Sequence, residues 1–497
     1  MKKNYLHVVL WLVLLVVIAL LAMNRMPQLS LFGNKLKEVD ILADLKGVGS
    51  VADTEDAMLA DMIDRRADSI IAAKMAARDT TRLEAVKGAG GRGDAVEGSH
   101  VTATPTDTVH LAGGTGNALI EDFSMGEAGG MAPYYAALNR MSDGGGVVRI
   151  AVLGDSYIEG DILTADLRMM LQQQYGGCGV GYVPVTSETF GFRRSVKHSF
   201  SGWRSYKVTG PDFDRSRETI SGEYAIPDSA ATVELRGQRK YYSRLDSCDE
   251  SSIYFRADAP CTVTASVNGG QFRQQFDVSP GKSIQKLTID AQGGRMGRVR
   301  WSVNRTGGGY TFYGVTMDCR RGVILDCYSM RSTSGPNLLG VPEGNMREYD
   351  SLRHYDLIVL MYGLNAITPE IINYEGYKER MCDVIERIKR DCPGSGILVV
   401  SVGDRCERRD GAMRTMRGVL AMVKYQRLIA AESGVAFWSM FDAMGGEGSI
   451  VKMVEGKPRE ANGDYTHINF LGGRRLAGYF YDALLKGKED YDNNNAQ

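Results

Sequence analysis

A serine hydroxyl becomes a nucleophile when a base within reach takes its proton, and the base needs a partner that fixes its tautomer. Three short stretches of this chain carry the groups for that chemistry: Gly154-Asp155-Ser156, Gly363-Leu364-Asn365 and Asp464-Tyr465-Thr466-His467. Ser156 offers the hydroxyl and His467 the base. Asp464, three residues before the histidine, offers a carboxylate that can hold the imidazole and stabilise its protonated form. Acyl attack leaves an oxyanion, for which the backbone N–H of Ser156 and the amide of Asn365 are candidate donors. A Gly-Asp-Ser turn alone is as often only a turn, so the reading rests on the three stretches together. Histidines are few: His7, His100, His110, His198, His354 and His467. His7 falls in an apolar N-terminal run, and His100 and His110 in a linker-like stretch. His198 borders a β-rich segment and His354 precedes a strand at the opposite end from the chemistry. His467 is the one well placed.

These stretches need a scaffold that brings distant residues to one edge. Val147 to Leu153 is an apolar run of the kind buried on both faces of a sheet. It ends at Gly154-Asp155-Ser156, and an amphipathic helix is expected from Asp161 to about Tyr175. GVILD at 322–326, YDLIVLM at 355–361, 396–402 and 435–440 read as further strands. Helices are expected over Met131–Met141 and about 375–391, 412–433 and 471–485. Strands alternating with helices predict a doubly wound parallel sheet in a three-layer α/β/α domain. In such a sheet the strands' carboxyl ends form the crevice where chemistry sits. Between about Ser199 and Asp318 the pattern changes to short alternating runs such as ATVELRG, SIYFRA, CTVTASV and RVRWSV, separated by turn clusters. That stretch predicts an inserted antiparallel β-sandwich. YGGCGVGYVP at 175–184, rich in glycine, reads as a loop.

The 497 residues carry a net charge of −1, so no global field points to nucleic acid. Lys2 and Lys3 precede an apolar run from Tyr5 to Met23. Nineteen residues at about 1.5 Å each span about 28 Å, close to the roughly 30 Å hydrocarbon core. An uncleaved single-pass signal anchor is expected at 1–24, N-terminus in the cytoplasm, with cleavage the lesser alternative. That places the bulk of the chain in the periplasm, outside a bacterial inner membrane. Residues 25–115 read as a stalk, partly helical over Val51–Lys87 and otherwise flexible, with a short coiled coil as the other option. The α/β domain then occupies 116–198 and 319–488, around the insert at 199–318, with a polar tail at 489–497. Eight cysteines in an oxidising compartment permit disulfides whose connectivity the sequence leaves open. No C-x-x-C or H-x-x-x-H spacing occurs, and neither a metal nor a cofactor is expected.

The GDS block with Ser156, the G-x-N block with Asn365 and the D-x-x-H block with Asp464 and His467, in that order, resemble the SGNH (GDSL) hydrolase family. The resemblance covers roughly residues 140 to 485 without the insert. It implies Ser156 as nucleophile, His467 and Asp464 as its base and orienting acid, and Asn365 with backbone N–H groups as the oxyanion hole. One departure stands out. The family's second block offers a glycine N–H soon after a strand like GVILD. Here the segment is Ser329-Met330-Arg331-Ser332-Thr333-Ser334-Gly335. Ser332 takes the usual glycine position, and Gly335 lies three residues later; either can complete the hole.

YGGCGVGYV, the β-insert, FYGVTMD running into GVILD, and AMGGEGS before the DYTH box resemble periplasmic peptidoglycan O-acetylesterases with an inserted carbohydrate-binding-type module. This narrower resemblance implies a membrane-anchored serine esterase removing O-acetyl groups from a cell-envelope polysaccharide. Two alternatives stay open: an O-acetyltransferase working beside a membrane-bound O-acyltransferase, and a silent glycan-binding or scaffold protein. Trp203 and Trp301 are the insert's candidates for stacking on sugar, with core packing equally open, and the insert itself is either substrate-binding or structural.

Overall fold

Five short apolar runs pair side by side as parallel strands: β1 (Val147–Gly154), β2 (Gly322–Ser329), β3 (Leu357–Met361), β4 (Gly396–Val400) and β5 (Ala436–Trp438). Their order across the sheet is β2-β1-β3-β4-β5, and Glu121–Asp122 pairs antiparallel on the far edge of β5. The register aligns three strand ends, with Gly154 opposite Ser329 on one side and Met361 on the other. The computed structural model from which this is read describes residues 119–124, 129–290, 292–305 and 307–495. It also describes the short strands Ser30–Leu31 and Asn34–Lys35 and helical positions between 59 and 73. The anchor expected at 1–24 and most of the stalk lie outside the described residues. Among the described residues no helix is long and apolar enough to cross a membrane. The chain divides into a unit of 1–62 with 410–412 and a unit of 63–409 with 413–497, and the latter holds the architecture that follows apart from the hairpin tip at 410–412.

The helices are α1 (Ala132–Gly144), α2 (Thr164–Tyr175), α3 (Asn345–Arg353), α4 (Glu375–Asp391), α5 (Arg417–Ser433) and α6 (Phe470–Asn495), with short helices at Met440–Met444 and Ser449–Glu455. α4 shows why they dock. Met381, Val384, Ile385 and Ile388 recur at helical spacing and are buried, while Lys389 and Arg390 in the last turn complement the helix dipole. Those side chains share one core with Ala151, Leu153, Ile358, Leu360, Ile397 and Val399 of the sheet. Side chains alternate across a strand, so Ile150 and Val152 face the other way, where α6 packs on α1 and on α2. The result is the expected three-layer, doubly wound arrangement.

The helix expected from Ala412 begins at Arg417. The residues before it form the strand Ala412–Thr415, paired with Cys406–Arg409. Asp410 and Gly411 both have positive φ, 52° and 78°, which is the backbone of a tight hairpin turn. At the C-terminus α6 continues to Asn495, through the stretch expected to be a tail.

Between α2 and β2 the chain builds nine antiparallel strands from Gly181–Pro184 to Tyr310–Met317. The insert therefore begins before Ser199. Gly181–Pro184, expected to be loop, pairs with Gly314–Met317, and Val196–Lys207 pairs along the length of Glu223–Gly237. Hydrogen bonding joins all nine strands in one sheet where two separate sheets were expected. The long strand Glu223–Gly237 explains the join. Its Ala230–Arg236 end pairs with Arg298–Asn304, and its Ala225 pairs with Phe312 of the other half. The two halves close on one core that includes Val233, Val263 and Trp301 from one side and Phe255, Phe312 and Val315 from the other.

Two buried ion networks tie this insert to the parallel sheet. At its exit, Arg353 of α3 donates to both oxygens of Asp318 at 2.7 and 3.0 Å and to both oxygens of Asp326 of β2 at 2.7 and 2.5 Å. All three side chains are 0% exposed. At its entry, Asp161 accepts from Arg168 of α2, from Arg193 and from Ser195. Burial alone would raise the Asp161 pKa, but the two guanidinium groups outweigh it and hold the carboxyl well below its usual range. A buried charge that loses its partner costs more than the pair contributes. Arg353→Met strands two carboxylates and is expected to lower unfolding free energy by about 3–5 kcal/mol, measured by urea denaturation.

Candidate active site

Ser156 follows β1 at the sheet's carboxyl edge, where the 2-1-3-4-5 order places its switch point between β1 and β3. It opens a short 3₁₀ segment, Ser156–Asp161, broken by a kink at Glu159-Gly160 and capped by Asp155, whose Oδ1 accepts the Tyr157 N–H at 2.9 Å. The turn leaves the Ser156 side chain half-buried. His467 approaches from the segment ahead of α6, and its Nε2 lies 3.1 Å from Ser156 Oγ. On the far side of the ring, Nδ1 lies 2.7 Å from Asp464 Oδ2.

Asp464 is exposed, so its charge alone is screened and worth little. Its orienting power comes from geometry. Oδ1 also accepts the backbone N–H groups of Thr466 and His467, at 3.1 and 3.0 Å, locking the carboxylate to the turn that carries the imidazole. Desolvation pushes the Asp464 pKa up, but these hydrogen bonds and the ring outweigh it and set the carboxyl below its ordinary value. Ser156, His467 and Asp464 thus stand in one hydrogen-bonded row, drawn together from opposite ends of the α/β fold.

The segment after β2 lies against the serine turn. Ser329 Oγ donates to the Asp155 carbonyl at 2.9 Å and Met330 N–H to the Gly154 carbonyl at 2.7 Å. Ser332 has φ +64°, a left-handed conformation that costs a residue with a Cβ and explains why glycine suits this position. Gly335 N–H donates to Asn337 Oδ1 at 3.2 Å, so this N–H is already engaged. Among the described residues, no acceptor pairs with the backbone N–H of Ser156 or of Ser332. Asn365, after β3, donates its side-chain amide to the Thr333 carbonyl at 2.8 Å and to Asp155 Oδ2 at 3.3 Å. In this arrangement the amide bridges the two loops beside Ser156.

Asp155, not singled out by sequence reasoning beyond its place beside the serine, is 1% exposed and accepts from both Asn365 and Tyr157. The remaining candidates lie elsewhere. His198 is buried, with Nε2 3.1 Å from the Val185 carbonyl, and desolvation first, then Arg193, pushes its pKa down to about 3. His354 pairs with Asp350 ahead of β3. Trp301 is corrected: at 1% exposure, bonded to Ser251 Oγ and stacked on Phe276, it is a core residue and presents no face to sugar. Trp203 is partly buried, donates to the Thr232 carbonyl at 2.8 Å and meets Phe312 edge-on. It too is engaged in packing.

No protein-family model and no curated protein matches the chain. Among solved structures, a peptidoglycan O-acetylesterase superposes with TM-score 0.60 at 21% identity, covering 75% of this chain and 99% of that one. A family two carbohydrate esterase from Cellvibrio japonicus covers 59% of this chain and 99% of its own at 9% identity, with TM-score 0.25. A GDSL-like lipase from Parabacteroides merdae covers 33% of this chain and 73% of its own at 12% identity, with TM-score 0.26. The chain has an SGNH/GDSL hydrolase-like fold.

Burial raises the Asp155 pKa from 3.8 to about 6, against hydrogen bonding from Tyr157 and the attraction of His467. The folded protein therefore holds this proton more tightly than the unfolded chain. Ionising Asp155 costs stability, and the contribution is lost as pH rises from about 4 to about 6. Unfolding free energy followed across that window is expected to lose this downward component in Asp155→Asn.

Proposed function

We propose that this protein is a serine esterase that removes O-acetyl groups from a cell-envelope polysaccharide, peptidoglycan foremost. The observation that carries the reading is the row Ser156 Oγ–His467 Nε2 at 3.1 Å and His467 Nδ1–Asp464 Oδ2 at 2.7 Å, standing at the carboxyl edge of the sheet. The fold shared with a peptidoglycan O-acetylesterase supports it. In this mechanism Nε2 takes the proton as Ser156 Oγ attacks the acetyl carbonyl, and Asp464 stabilises the imidazolium. The oxyanion receives the N–H groups of Ser156 and Ser332, while Asn365 fixes the loops that carry them. Collapse releases the sugar hydroxyl, which takes the proton from His467. Water then attacks the acetyl-enzyme by the same route and frees acetate.

The ground around Ser332 supports a polymeric substrate. On one side a cleft runs between Glu159 and the insert's Lys207, Thr209 and Glu223. On the other it continues past Thr209, Arg215, Asn337 and Arg380. Ser332, Val208 and Thr209 line both stretches, so the insert forms one wall of each. With the Lys2–Lys3 and Tyr5–Met23 pattern, the reading includes an inner-membrane anchor and a periplasmic catalytic domain.

Acetate release from O-acetylated peptidoglycan tests the mechanism. Ser156→Ala is expected to abolish turnover and leave the unfolding midpoint near wild type. His467→Ala is expected to be comparably severe, because triad members act as a unit. Wild-type activity should fall on acidification, since a protonated imidazole cannot accept the serine proton. Acetate release by Ser156→Ala at the wild-type rate would refute the reading. The cleft is tested separately. Thr209→Trp should reduce release from the polymer at least tenfold while leaving nitrophenyl acetate turnover within about twofold, the split expected when only remote binding is lost.

A further inference from the structure

Two backbone segments run side by side at the base of the insert. One, around residues 176–181, leads into its first strand; the other, around 317–323, leaves its last. Gly181 is the register partner of Met317, and Val323 N–H donates to the Gly176 carbonyl at 3.0 Å. Glycines permit this approach. A Cβ on Gly179 would stand 2.3 Å from the Met317 carbonyl oxygen, and one on Gly322 would stand 2.3 Å from the Gly176 carbonyl carbon. Between these contacts Cys178 and Cys319 meet. With Ile324 they form a small buried cluster separate from both large cores, the cysteines 3% and 1% exposed, and Cys319 Sγ lies 3.9 Å from the Val323 carbonyl.

Other cysteines point elsewhere. Cys248 Sγ faces the Met296 carbonyl, Cys327 Sγ the Ile158 carbonyl, and Cys406 Sγ lies against Asp404 and Thr415. Carried outward, the Gly181–Met317 register sets Gly179 opposite Cys319, so Cys178 stands one residue along from the directly opposed position and it is the shared buried cluster that brings the two side chains together.

We propose that Cys178 and Cys319 form a disulfide that joins the entry of the β-insert to its exit. Oxidation bonds the two Sγ atoms and releases both thiol protons. The two electrons pass to the disulfide of a thiol–disulfide oxidoreductase, which leaves as its dithiol. The bond encloses the whole insert in one covalent loop, confining the unfolded chain while leaving folded packing as it is. It requires the oxidising compartment of the proposed location, and does not depend on the esterase reading.

The test uses the full chain exported to the periplasm of an expression host. Alkylation with iodoacetamide in denaturant without reductant, followed by digestion and mass mapping, is expected to yield a cross-linked peptide pair carrying Cys178 and Cys319, two hydrogens lighter than the separate peptides. The other cysteines should be alkylated. Reduction should lower the melting temperature of the wild type by several degrees and leave that of the Cys178→Ala/Cys319→Ala variant unchanged. Alkylation of both Cys178 and Cys319, or a cross-link from either to a third cysteine, overturns the proposal. A cross-link whose reduction leaves melting unchanged overturns its stabilising role. If the double variant fails to fold, the wild-type map and the wild-type melting shift decide the question.

Discussion

The buried guanidinium of Arg353, shared between Asp318 and Asp326, is the constraint on which the combination of two architectures depends. Burying one positive and two negative groups is costly in itself, and the fold offsets that cost by satisfying them densely. Tyr355 OH and the Tyr182 N–H donate to Asp326, and Arg353 Nη1 lies 3.4 Å from Tyr254 OH. These partners come from α/β core and insert alike. The network therefore specifies where the insert sits on the sheet, a task that apolar contacts perform poorly because they tolerate sliding. Asp161 does the same at the insert's entry, a few residues beyond the serine. The turn that carries Ser156 is thus anchored to α2 and to the insert through one carboxylate.

That coupling explains the shape of the candidate site. Ser156 is positioned by the end of β1, Ser332 by the end of β2 and Asn365 by the end of β3, three neighbours whose register is set by the sheet. Backbone hydrogen bonds and the Asn365–Asp155–Thr333 links hold the loops in contact. His467 arrives from outside that set, on a turn whose Tyr465 has φ +51° and whose backbone bonds to Cys406. Its alignment rests on Asp464, on the turn and on that link to Cys406, so His467 is held outside the strand register that positions Ser156.

The parallel strands, most helices and the three chemical blocks were legible because each is local. An apolar run of five to eight residues, a helical spacing or a Gly-Asp-Ser turn carries its own signal. What escaped depends on partners far along the chain. Gly181–Pro184 looks like loop because three of its neighbours are glycines, yet it is a strand once Gly314–Met317 lies beside it. Ala412–Thr415 follows a Gly and reads into the next helix, although Asp410-Gly411 was a hairpin signal in plain view. Trp301 cannot be told from a sugar platform without knowing which face of its strand is covered. At Ser332 and Gly335 only coordinates supply the local facts: both have positive φ, 64° and 106°, and the N–H of Gly335 is already engaged by Asn337.

The position of the insert also governs the order in which the molecule can be assembled. β1 is the first parallel strand to be synthesised, yet it is an interior strand, and both of its neighbours follow the insert in sequence. A chain emerging amino-terminus first therefore carries β1 with both edges bare until the whole antiparallel module has been made. All nine strands of the module find their ladder partners within it, although among the described residues Cys261–Val267 and Phe272–Val278 form its one short hairpin and most of its pairings join strands apart in sequence. It can condense while β1 waits, and in doing so it shortens the distance over which β1 and β2 must find one another. The long excursion between the first and second parallel strands thus sets the order in which the sheet can close.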